Sequence, residues 1–81
     1  MKLHIKTTIE KFKERWLPQT IPVAEAIFSR FIAGESSEEL QQDYGVPVFK
    51  VESAIRFFAL KRSGNRHARE LYDDWQRRRF Q

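Results

Sequence analysis

The residues whose types and spacing best suit a chemical task form a recognition surface rather than a catalytic one. Phe49, Lys50, Ser53 and Arg56 recur in the segment from Val46 to Phe58 at helical spacing, near the start of that helix. On an outward face, Lys50 or Arg56 donates to guanine and Ser53 bonds a phosphate or base edge. Phe49 meets a thymine methyl. That is the chemistry of reading duplex DNA. Glu52 on the same turn accepts from cytosine but repels phosphate. The same residues read equally well as a solvated face, with Glu52 and Arg56 an i,i+4 ion pair.

A second constellation lies towards the C-terminus. Lys61, Arg62, Arg66 and Arg69, then Arg77-Arg78-Arg79, are interleaved with Leu71, Tyr72, Trp75 and Phe80. The cations suit phosphate contacts, or simply keep a chain end solvated. The interleaved apolar residues favour a third reading, an amphipathic tail that docks on a partner protein through Leu71, Tyr72, Trp75, Arg78 and Phe80. Glu70, Asp73 and Asp74 interrupt the basic face, which argues against a membrane surface.

Catalysis finds little support. The two histidines, His4 and His67, sit in opposite terminal segments, and cysteine is absent. Disulfides and thiolate zinc sites are therefore excluded. There is no Gly-rich phosphate loop, metal-ligand spacing or nucleophile–base pair. Glu38, Glu39 and Asp43 read as a helix start with a solvated face rather than a metal site. Trp16 and Trp75 read as core or interface. Neither an enzyme nor a cofactor or metal is expected.

The elements that must position these residues are mainly helical. Eighty-one residues make a single domain, 1–81. It divides into an N-terminal segment (1–20), a helix-turn-helix core (21–62) and a helical tail (63–81). In the first segment Leu3, Ile5, Thr7 and Ile9 alternate like a strand. Ile5, Ile9, Phe12 and Trp16 also follow a helical stripe, with Thr7 and Glu10 as a capping box. The alternation is preferred and predicts a short β segment at 3–7, followed by a turn or helical piece. Pro22 suits a first helical turn, and Val23, Ile27, Phe28, Phe31 and Ile32 give that helix one apolar face up to Ala33 and Gly34. Ser36 and Glu39 form a capping box for a helix over 37–44 that Gly45 stops. After Val46 and Pro47 a third helix carries two apolar stripes. One holds Val48, Val51, Ala54, Ile55 and Phe58, the other Phe49, Ser53, Phe57 and Leu60. Such a helix touches more than its own small core. Ser63-Gly64-Asn65 breaks the chain before a C-terminal amphipathic helix over 66–79. Gln41 departs from the small residue that close packing of a helix-turn-helix prefers.

The net charge of +4 is unevenly spread. Residues 1–16 hold five Lys/Arg against two Glu (+3), 17–60 three against six acids (−3), and 61–81 seven against three (+4). An acidic middle objects to DNA binding, because nucleic-acid binders cluster cations on the binding face. So short a chain has a marginal core, and its eleven aromatic residues suggest dense packing completed by a second subunit. No run reaches the roughly eighteen apolar residues of a membrane span, and a cytoplasmic location is expected.

Ile21-Pro22-Val23, Ala33-Gly34-Glu35-Ser36, Glu38-Glu39-Leu40 and Asp43-Tyr44-Gly45-Val46, continued by Ile55-Arg56-Phe57-Phe58, resemble a bacterial family. It is the one called domain of unknown function four-three-three, which includes VapB-type antitoxins. The likeness covers roughly residues 19–62. It departs before Ile21, where the family has a Gly-rich hairpin ending in Gly-Thr-Arg and this chain has Pro18-Gln19-Thr20. The resemblance implies a homeodomain-like trihelical fold and pairing with a toxin such as a PIN-like nuclease. The expectation is an antitoxin-like homodimer that binds operator DNA and neutralises its toxin. The alternative is a protein-interaction module of the same fold that never touches DNA.

Overall fold

Residues 3–9 satisfy the period of a strand and the period of a helix alike, and the next residues decide between them. Ile9 and Phe12 are three apart, on opposite faces of a strand but on one face of a helix. Both pack into the core, Ile9 partly and Phe12 fully. The structure, a computed structural model, describes residues 2–16 and 18–79, with side chains described over 7–16 and 19–78. The β segment expected at 3–7 is instead part of one continuous helix, α1 (Lys2–Arg15). Thr7 and Glu10 lie within this helix, so they form no capping box at its start. Lys13 and Arg15 occupy its last turn, where cations complement the negative end of the helix dipole.

A 3-10 turn at Pro18–Thr20 leads into α2 (Ile21–Ile32), with Pro22 in its first turn. Next come α3 (Ser37–Tyr44), α4 (Val48–Arg62) and α5 (Arg66–Arg79). These bounds agree with the sequence expectation to within about a residue, because the punctuation is chemical. Glu39 N–H donates to Ser36 Oγ at 3.2 Å while Ser36 N–H donates to Glu39 Oε1 at 3.1 Å, completing the capping box. Gly45 takes φ +64° and lets Val46 N–H reach back to Gln41 O at 3.2 Å. A side chain there would oppose the left-handed backbone. Asn65 does more than break the chain: its Oδ1 accepts from Ala68 N–H at 3.0 Å and so caps α5.

The loop between α2 and α3 is tied by Arg30. Its Nε donates to Glu35 Oε2 at 2.7 Å, and its Nη2 pairs with both Glu35 and Asp43. The guanidinium also lies 5.3 Å from the centre of the Tyr44 ring. One fork thereby joins the end of α2 to the end of α3. Hydrogen bonding to Arg30 holds the Glu35 carboxyl below its ordinary value, and the two carboxylates push Arg30 further up.

Helix α4 is the axis of the bundle and packs against each of the other four helices. Its first stripe buries Val51, Ala54 and Phe58 in the core, where Phe58 meets Phe28 of α2 with ring centres 5.9 Å apart. Its second stripe is covered by α1 at Ser53 and Phe57, while Phe49 stays half exposed. There Phe12 lies flat on Phe57, with centroids 4.0 Å apart and planes 8° from parallel. Phe58 meets both rings edge-on at 5.7 and 5.2 Å, and Trp75 from α5 tilts against both at 5.3 and 5.7 Å. The edge-on contacts suit the ring quadrupoles. Among the described residues twelve apolar ones, these four included, are buried in the core, drawn from all five helices and from Trp16 just after α1.

Two outcomes follow. Phe12→Ala leaves a void beside Phe57 and costs about 3–5 kcal/mol in urea unfolding; a loss under about 1 kcal/mol would mean α1 is dispensable to the core. Because the Glu35 carboxyl is lowered in the folded state, its contribution is full above the ordinary value of 4.5 and is lost as pH falls through the folded value. Glu35→Gln therefore lowers the melting temperature near neutrality, and the gap to the parent closes on acidification. A gap that persists unchanged at low pH would show that Arg30 is not its cause.

Candidate functional site

The residues expected to read DNA lie on α4 but do not share one open face. Phe49 is half exposed, and Arg56 is exposed. Ser53 is only 5% exposed. Its Oγ accepts from Arg15 Nη1 at 2.8 Å and donates to Phe49 O at 2.9 Å. Ser53 is thus corrected from a base or phosphate contact to an internal tie between α1 and α4. Lys50 is also drawn inward. Its Nζ stands 4.6 Å from the centre of the Trp16 ring, while Trp16 Nε1–H donates to Lys50 O at 3.0 Å. A cation over an indole face is an attractive arrangement, and Lys50 is partly buried. Arg56 does pair with Glu52, Nη2 to Oε2 at 3.4 Å, as i,i+4 spacing allows.

What remains open on α4 is a narrow stripe facing α1 across a groove of about 590 Å³. Thr7, Thr8, Lys11 and Arg15 line one wall, and Phe49, Glu52, Ser53 and Arg56 the other. Arg15 lies 4.7 Å from the centre of the Phe49 ring, so an aromatic and a guanidinium together close one end. Three cations face one carboxylate here. The α1 wall was missed because its signal, Thr7, Lys11 and Arg15 at successive i,i+4 positions, exists only if residues 7–15 are helical.

The C-terminal constellation is largely consumed by the fold. Trp75 is 7% exposed in the aromatic cluster, and Ala68 is fully buried. Leu71 and Tyr72 pack partly buried against the same core. Tyr72 Oη donates to Glu25 Oε1 at 2.9 Å, and Lys61 Nζ lies 4.2 Å from its ring centre. Trp75 is therefore corrected from a partner contact to a core residue, with Leu71 and Tyr72 mainly engaged within the chain. The amphipathic face is real, but it docks on this chain's own bundle. Arg78 is exposed and pairs with Asp74 at 3.1 Å; Phe80 lies outside the described residues.

The remaining surface is polarised. Glu38, Glu39 and Asp43 on α3 are exposed, on the side of the helix-turn-helix that approaches the phosphate backbone when such a motif docks on DNA. Among the described residues, no group of three His, Asp or Glu side chains could hold a metal, and no helix is long and apolar enough to cross a membrane. No family model matches the chain, and neither a curated protein nor a solved structure significantly similar to it was found.

Ser53→Ala removes both bonds of the internal tie and costs about 1 kcal/mol in chemical denaturation. Unchanged stability would return Ser53 to the list of free surface groups.

Proposed function

We propose that this chain is a protein-interaction module built on a helix-turn-helix, rather than a reader of operator DNA. The observation that carries this reading is the burial of Ser53 beneath Arg15, at the centre of the face that would have to enter a major groove. A recognition helix needs one free flank near its N-terminal end. On α4 that flank is shared with α1, which also engages Lys50 through Trp16. Glu52 beside Arg56, and the exposed acids of α3, add repulsion where phosphates would lie.

The operator-binding antitoxin reading stands second. In its favour are the break at Gly45 between α3 and α4, the outward Phe49 and Arg56, and the resemblance over residues 19–62 to the antitoxin-containing family. It requires a homodimer, whose two half-sites would add, and a toxin partner such as a PIN-like nuclease.

A gel shift with duplex DNA from upstream of the gene separates the two. The interaction reading predicts no sequence-specific complex at moderate salt. A specific complex that Arg56→Ala weakens by about 1–3 kcal/mol would transfer the function to operator binding. In either case the product of the neighbouring gene is the first partner to test by co-purification.

A further inference from the structure

We infer that the α1–α4 groove receives an acidic segment of a partner protein, with carboxylates on Lys11, Arg15 and Arg56 and an apolar side chain against Phe49. The inference rests on the protein-interaction reading and names the chemistry of its partner.

The groove's cations are held but not spent. Arg15 commits Nη1 to Ser53, and a guanidinium carries five N–H donors in a planar fork, so it keeps donors for a carboxylate. Its guanidinium is already held by Ser53 and the face of the Phe49 ring, so little freedom is lost on binding. Arg56 contacts Glu52 at 3.4 Å with its side chain 68% exposed. Exposed pairs of that kind contribute little, so an incoming carboxylate competes readily. Lys11 is exposed on the opposite wall. Phe49 is 50% exposed and gives the groove its apolar end, the feature that a purely electrostatic site would lack.

Glu52 decides between a polypeptide and a nucleic acid. A strand of duplex DNA carries a phosphate at every residue, about every 3.4 Å of axis, so one laid along the groove cannot avoid setting a phosphate near the Glu52 carboxylate. A peptide spaces its side chains on one face about 6–7 Å apart, so acids can meet the three cations and pass over Glu52. There a backbone N–H or hydroxyl of the peptide can donate. The volume of about 590 Å³ holds a few side chains rather than a folded element.

The test uses the full chain and a short fluorescein-labelled peptide of Asp and Glu with two central leucines, read by fluorescence polarisation. The peptide is expected to bind, and the double reversal Lys11→Glu with Arg56→Glu to weaken it about tenfold with unchanged circular dichroism. The control reversal Arg66→Glu with Arg69→Glu, on exposed α5 cations, is expected to leave affinity unchanged. Equal weakening by the control would reduce the effect to net charge and overturn the site. Tighter binding of a thymidine oligonucleotide would assign the groove to nucleic acid. A doubling of mass in light scattering that Glu38→Lys abolishes would assign it to the acidic α3 of a second copy. If the neighbouring gene's product co-purifies regardless of the double reversal, the groove assignment fails while the interaction reading stands. If the peptide binds but that product does not co-purify, the groove stands and the interaction reading loses its partner.

Discussion

Phe12 lying flat on Phe57 is the contact from which the rest of this molecule follows. A helix with two apolar stripes cannot stay solvated on either, and α4 has one stripe for α2 and α3 and another left over. By stacking on Phe57, α1 covers that second stripe from within the same chain. Both rings are fully buried, and burying a phenyl side chain contributes about 1.5–3 kcal/mol. Without this cover an 81-residue chain lacking cysteine would rest on a thin trihelical core. The same contact draws Trp16 and Arg15 onto the N-terminal half of α4, so closing the core and occupying the would-be reading face are one event.

Much of the fold was legible because helix ends carry their own chemistry. Ser36 with Glu39, Gly45, and Pro22 each meet a specific backbone need, and each ends or begins a helix where the need arises. Residues 1–16 were less legible. Leu3, Ile5, Thr7 and Ile9 follow a period of two while Ile5, Ile9, Phe12 and Trp16 follow a helical stripe, and the burial of Phe12 against Phe57 settles the ambiguity. The site was less legible still. Helical spacing sets Phe49, Lys50, Ser53 and Arg56 on neighbouring faces, but says nothing of which neighbour covers them. Arg56 and Phe49 stand outward and Ser53 does not, because Arg15, beyond the β segment expected at 3–7, reaches across from α1 to bury it. Trp75 and Leu71 show the same limit from the other side. Amphipathicity says that a face is buried, not whether the cover is a partner or the chain itself.

The charge pattern also gains meaning once folded. Acids in the middle of the chain gather on α3 and around Arg30, while α1 and α4 bring Lys11, Arg15 and Arg56 to one groove. A sequence that alternates basic, acidic and basic thus becomes a body with an acidic helix and a separate cationic groove. Such polarity steers a partner's approach and orientation more than it sets affinity.

The central claim is that α1 and α4 are coupled through their stacked rings, and a double-mutant cycle measures that coupling directly. Phe12→Leu, Phe57→Leu and the double variant are compared by urea unfolding. Stacked neighbours predict an interaction energy of about 0.5–1.5 kcal/mol. Strictly additive losses would mean the two rings do not meet, and the cover over α4 would have to be sought elsewhere.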